Sequence, residues 1–238
     1  QETGISKDGI IVDDSRPTTA KTRVIAQSQH VVRIDKETKA YIDKRTQNGL
    51  YSYLENLISS LDGIILQDYN KGVLTPSLIE KIISLANKHN VLVTVDPKFN
   101  NFFSYKNVTV FKPNRKETED AFGIRINTNE DISSAGNKLI QKLNAEYALL
   151  TLGEGGIAVF QKGKEERRMP TKARKVADVS GAGDTVISTL TMALAAKANI
   201  LEASFLANYA AGIVCGEVGI VPIELDKLFT TIKKELYG

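Results

Sequence analysis

Apolar positions along this chain change period, and the changes organise its reading. Residues 1–14 are polar apart from Ile10-Ile11-Val12. From Thr18 to Ile34 the spacing is strand-like: Thr22, Val24 and Ala26 alternate with Arg23 and Ile25, and Val31-Val32-Arg33-Ile34 follows. Gln27-Ser28-Gln29-His30 between them reads as the turn of a β-hairpin. Over 50–61, Leu54, Leu57, Ile58 and Leu61 fall on one helical face. Beyond Gly63, short apolar runs and helical stretches take turns. The pattern predicts strands at 63–66, 91–95, 108–111, 147–151 and 156–160, and helices at 76–88, 116–122, 130–143, 183–196 and 201–217.

Apolar strands alternating with helices predict an α/β fold, a mostly parallel sheet covered on both faces. We expect one domain over 1–238, with 18–34 as a hairpin appendage. Ligands of such sheets gather beyond the carboxyl ends of the strands. Asp68, Asp96, Asn114 and Gly153 each follow one of these strands, where that rule wants polar groups.

Composition narrows the classes of function. A net charge of +3, with acids and bases interleaved, gives no basic face for nucleic acid. No apolar run approaches the roughly 20 residues of a membrane span, and the polar start Gln1-Glu2-Thr3-Gly4 does not read as a signal peptide. The lone Cys215, in the small-residue run 210–215, reads as a buried thiol and allows no internal disulfide, so a cytoplasmic location is expected. His30 and His89 read as surface or turn residues without a role.

The segment with most chemistry is Asp178-Val179-Ser180-Gly181-Ala182-Gly183-Asp184-Thr185, just ahead of an apolar helix. Gly181 and Gly183 let backbone approach a ligand closely, and the helix start offers N–H groups and a positive dipole end to an anion. Asp184 there fits two roles, a helix cap or a base that takes a proton from a hydroxyl attacking phosphorus. Asn114-Arg115-Lys116-Glu117 fits either a hydrated Mg²⁺ or a capping box. Thr151-Leu152-Gly153-Glu154-Gly155-Gly156 fits either a nucleotide-side loop or a plain tight turn. The basic run Lys172, Arg174 and Lys175 fits a solvated face better than a nucleotide contact.

Taken in order, these three segments resemble the ribokinase (PfkB) family of carbohydrate kinases. The resemblance implies a ribokinase-like three-layer sandwich with a β-hairpin lid over 18–34. It implies that Asp184 is the catalytic base, that Gly181, Ala182 and Gly183 form an anion hole, and that Asn114 and Glu117 serve Mg²⁺. It implies ATP contacts at Thr151, Gly153, Gly156 and Asn208, and leaves a monovalent cation beside Asp178 open. Further segments, among them Asp68–Leu74, Val95–Lys98, Lys112-Pro113-Asn114 and Gln29–Asp35, resemble one branch, the heptose 7-phosphate kinases. A sugar phosphate needs cations for its phosphate and carboxylates for its hydroxyls, so Lys71, Lys98, Arg23 and Arg33, with Asp68, Asp96 and Asp35, are the substrate candidates.

The chain departs from the family at its front. The family's first strands, with an acidic sugar contact and a Gly-Gly-x-x-x-Asn segment, have no counterpart, a deficit on the order of eighty to ninety residues against ordinary domain size. A chain starting at Gln1 is therefore expected to show an exposed apolar sheet edge and impaired sugar binding. A homodimer through the lid is expected, with ATP and a phosphorylated sugar as ligands. Another sugar kinase of the same family, or a non-catalytic nucleotide-binding protein, are the alternatives.

Overall fold

The computed structural model describes residues 5–26, 29–172 and 178–237. Strands β1 (Ala20–Ala26) and β2 (Gln29–Lys36) form an antiparallel hairpin. Its turn residues Gln27 and Ser28 lie outside the described residues, as do Arg174 and Lys175. Helix α1 (Lys44–Leu57) leads to a sheet built from β3 (Gly63–Gln67), β4 (Leu92–Asp96), β5 (Val110–Phe111), β6 (Tyr147–Thr151), β7 (Ile157–Gln161) and β8 (Arg167–Met169). Helices α2 (Pro76–Lys88), α3 (Arg115–Phe122) and α4 (Asn129–Leu143) lie between strands, and α5 (Ala182–Ala195), α6 (Ile200–Cys215) and α7 (Leu225–Tyr237) follow them.

The strands lie side by side in chain order, parallel from β3 to β6 and antiparallel at β7 and β8. Successive residues point to opposite faces, and both faces are buried. Ala148, Leu150, Ala158 and Phe160 join α2 and α4 in one core, while Leu149, Ile157 and Val159 join α5 and α6 in the other. This is the expected three-layer α/β arrangement. The parallel strands all end on one side, which brings Asp68, Asp96, Lys112 and Thr151 toward the start of α5.

Three elements differ from the periodicity. Helix α1 begins at Lys44 rather than 50, because the Asp43 side chain accepts the Thr46 N–H at 2.7 Å and caps a first turn that has no apolar face. Strand β8 carries Arg167 and Arg168, charges suited to a sheet edge and invisible to apolar alternation. Helix α7 packs Leu228 and Ile232 against Tyr209 and Ala210 of α6. Its apolar side chains Leu225, Leu228, Phe229 and Ile232 repeat at helical spacing.

The outer side of β3 has no strand partner among the described residues, and Ile65 on it is 38% exposed. The hairpin also presents apolar surface: the cross-strand pair Val24 and Val32, with Ile34, is exposed. It is tied to the body through an ion pair of Glu37 with Lys71 at 2.5 Å.

Candidate active site

Helix α5 starts without a side-chain cap. Its N-cap is Gly181 at φ +82°, a left-handed backbone that favours glycine. Asp184, in the first turn, therefore does not spend its carboxylate on the helix. It accepts a 3.1 Å hydrogen bond from the Tyr69 hydroxyl, at the end of β3. Burial, and then the neighbouring Asp184 carboxylate, push the Tyr69 phenol up to about 12. Of the two roles open to Asp184 in the sequence, the capping one is not realised.

Beneath Gly183 lies a buried ion pair, Lys112 to Asp96 at 3.1 Å. A Cβ on Gly183 would stand 3.6 Å from the Asp96 carboxylate and 3.7 Å from the Lys112 ammonium. Gln67 adds a 3.0 Å hydrogen bond to Asp96. A paired, hydrogen-bonded charge of this kind is stable in the interior where a single one is not. Neither Lys112 nor Tyr69 was among the site residues read from the sequence. Lys112 carried a signal, a charge ending the apolar run at Phe111, whereas Tyr69 matters only through a partner 115 residues away.

From this pair a cleft of about 660 Å³ runs along the sheet end. It is lined by Ala182, Gly183, Asp96, Lys98, Asn114 and Glu117, by Thr151, Gly153 and Gly156, and by Asn208, Ala211, Gly212 and Cys215 of α6. Gly156 is obligatory: at φ +79° a Cβ would sit 2.0 Å from the Met169 carbonyl oxygen. Asn208 is buried and donates to the Pro170 carbonyl at 2.7 Å. Burial pushes the Cys215 thiol up, in keeping with its reading as an inert thiol.

Asn114 and Glu117 form a complete capping box on α3, each side chain accepting the other's backbone N–H at 2.8 Å. Glu117 also pairs with Lys98. Burial opposes the Lys98 charge, and the carboxylates of Glu117 and, to a smaller extent, Asp96 and Asp184 together outweigh it, so the net shift is upward. The donor set, one amide and one carboxylate partly neutralised by a lysine, fits a hydrated Mg²⁺ held through water and phosphate rather than a protein cage. Among the described residues there is no cluster of three or more His, Cys, Asp or Glu.

A second hollow of about 390 Å³ lies on the other side of Tyr69, lined by Asp68, Lys71 and hairpin residues Thr19 and Lys21. Lys71 borders it with its ammonium held by Glu37. Asp68 is only 3% exposed, and its carboxylate accepts the Tyr105 hydroxyl and the Asn70 N–H, each at 2.7 Å. Those bonds fix the turn after β3. Arg33 and Asp35 pair with each other at 3.0 Å along β2, apart from both hollows. Arg23 faces Asp178, whose carboxyl is held below its usual range first by the Ser180 N–H and to a smaller extent by Arg23. Lys172 pairs with Glu235 at 2.5 Å and lies over the Tyr209 ring, away from a nucleotide role.

The profile of the pfkB family carbohydrate kinases matches residues 1–226. Curated relatives include the bifunctional protein HldE of Desulfatibacillum aliphaticivorans, 41% identical over 225 residues covering 94% of this chain and 46% of the relative. HldE of Helicobacter pylori strain J99 is 40% identical over 225 residues, 94% of this chain and 48% of the relative. The chain thus spans about half the length of the curated relatives it matches. Among solved structures, Escherichia coli phosphofructokinase-2 in complex with potassium superposes with a TM-score of 0.75 at 16% identity, over 94% of this chain and 72% of that one. Arabidopsis thaliana ribokinase complexed with ribose and ATP gives 0.73 at 21%, over 92% and 70%. These two establish a shared fold. No helix among the described residues is long and apolar enough to cross a membrane.

Proposed function

This chain belongs to the pfkB family of carbohydrate kinases, and from that premise we propose that it transfers the γ-phosphoryl group of ATP to the C1 hydroxyl of D-glycero-β-D-manno-heptose 7-phosphate, giving the 1,7-bisphosphate. The observation that carries the reading is the place of Asp184. Its carboxylate is uncommitted to the helix and is oriented by Tyr69, which borders the hollow beside Lys71, while its chain neighbour Gly183 borders the larger cleft.

In this scheme ATP lies along the larger cleft, its base toward Asn208 and its phosphates past Thr151, Gly153 and Gly156. The sugar lies at the Lys71 hollow. Asp184 takes the proton of the C1 hydroxyl as its oxygen bonds to the γ-phosphorus and the bond to ADP breaks. Backbone N–H groups at Gly181, Ala182 and Gly183 stabilise the developing charge, a contribution typically of about 10²–10³ in rate per well-placed donor. Mg²⁺, held through its waters by Asn114 and Glu117, would neutralise phosphate charge. Lys71 and Lys98, each anchored by one carboxylate, keep donors for the sugar phosphate, with Arg23 on the lid, while Arg33 stays paired with Asp35 and takes no part in this scheme. Asp96 and Asp68 supply the acidic side.

Residues 1–238 form one kinase domain in this account, with 18–34 as its lid. The exposed Val24, Val32 and Ile34 face supports a homodimer through that lid. The sugar assignment rests on the branch resemblance of the 68–74, 95–98 and 112–114 segments, and it places the enzyme in cytoplasmic supply of ADP-heptose for lipopolysaccharide. The test is ³¹P NMR of the products formed by the complete protein from Mg-ATP and a panel of sugars, hexose phosphates and heptose 7-phosphate. A new anomeric phosphate with heptose 7-phosphate alone supports the proposal. Faster phosphorylation of another sugar replaces the substrate, and ATP binding without any product replaces the reaction.

A further inference from the structure

The cations bordering the cleft differ in one respect. Lys112 is paired with Asp96, Lys98 with Glu117, and Lys116 with Asp120. Arg115 opens α3 and lines the same cleft, and its Nε is buried with no hydrogen-bond partner among the described residues. A buried donor on a cation is unfavourable until an acceptor completes it, so an orphan of this kind asks for a ligand.

Its position says which ligand atoms fit. The guanidinium runs along the turn after β6, with Nη2 3.8 Å from where a Cβ on Gly155 would stand. The transfer end of the cleft, beside Gly183, already holds the Lys112 and Asp96 pair. The α6 side of the cleft, at Ala211, Gly212 and Cys215, is small and apolar and suits a base rather than a charge. Arg115, at the start of α3 and beside Gly155, belongs to neither group. Its planar fork of donors matches the oxygens of a phosphate better than those of a ribose hydroxyl.

We propose that Arg115 clasps the non-transferred phosphates of the bound nucleotide and sets the protein's preference for nucleoside di- and triphosphates over the nucleoside. The residue is a binding determinant that remains engaged with ADP after transfer. The inference rests on the kinase reading above and adds to it a residue which the three family motifs leave without a role.

Calorimetric titration of the complete protein with Mg-ATP, Mg-ADP and adenosine, in wild type, Arg115→Gln and Arg115→Lys, tests it. Arg115→Gln is expected to weaken ATP and ADP by about 10- to 100-fold and to leave adenosine unchanged. Arg115→Lys keeps the charge but lacks the Nε donor, and is expected to recover only part of the loss, remaining about threefold or more weaker than wild type. It also serves if the glutamine variant fails to fold. Unchanged ATP affinity in both variants, or an equal loss for adenosine, overturns this role and leaves the kinase reading intact. A wild type that binds no ATP overturns both.

Discussion

The Tyr69 hydroxyl donates a 3.1 Å hydrogen bond to Asp184, joining the end of β3 to the first turn of α5 across 115 residues of chain. The bond engages one carboxylate oxygen, and in the proposed reaction the other takes the proton of the substrate hydroxyl. A base held in one orientation does not have to be reoriented during reaction. Tyr69→Phe is therefore expected to lower kcat about three- to tenfold, with little change in the KM for ATP. Steady-state kinetics of the variant checks this, and an unchanged kcat would remove Tyr69 from the mechanism.

The same phenol carries a spectroscopic prediction. Its pKa rises from the ordinary value of 10.0 to about 12 in the fold. A group whose folded pKa is raised lends stability that is present below its unfolded pKa and lost as pH climbs through the folded one. The Tyr69 contribution is thus complete below pH 10 and fades between 10 and about 12. An ultraviolet titration of wild type minus Tyr69→Phe should show one phenol ionising near the upper value. A difference curve centred near 10 would mean that the phenol is not buried against Asp184 in solution.

The Lys112 and Asp96 pair is predicted to matter for stability as well as for the cleft. Lys112→Met leaves a buried carboxylate without its partner and is expected to cost about 3–5 kcal/mol in urea unfolding. Replacing both, Lys112→Met with Asp96→Leu, removes the stranded charge and should restore most of that loss while leaving the kinase inactive. A double variant as unstable as the single one would show that the pair is not the reason for the cost.

Two glycines in one turn make an internal comparison. Gly153→Ala faces open space at φ +60° and pays only the left-handed backbone penalty, about 1–2 kcal/mol. Gly156→Ala drives a methyl into the Met169 carbonyl at 2.0 Å and is expected to cost on the order of 3 kcal/mol, with weakened ATP binding. Thermal melts of the two variants rank them, and equal losses would contradict the close approach.

Much of this arrangement could be read in advance, for identifiable reasons. Helix α2 was legible to the residue because Thr75 caps it, Pro76 opens it and its apolar side chains keep a helical period. Asp96, Asn114 and Gly153 of the larger cleft were legible because they end or follow strands, where a parallel sheet collects polar groups. Strand β8 was not, since an edge strand of arginines has no apolar alternation. Nor could the sequence decide between roles that use the same residues. Asn114 and Glu117 satisfied their capping box in full, while Asp184 left its helix to Gly181 and turned to Tyr69. Long-range pairs such as Lys112 with Asp96 arise only when the sheet brings two strand ends together.

The most direct test is ADP release by the complete protein with Mg-ATP and heptose 7-phosphate, measured beside Asp184→Asn, with nucleotide affinity determined for both. Loss of a general base predicts a fall in turnover of about 10²–10⁴ with ATP affinity nearly unchanged. Turnover in Asp184→Asn within a few-fold of wild type would contradict the assignment of Asp184 as the base, and with it the reading of this site.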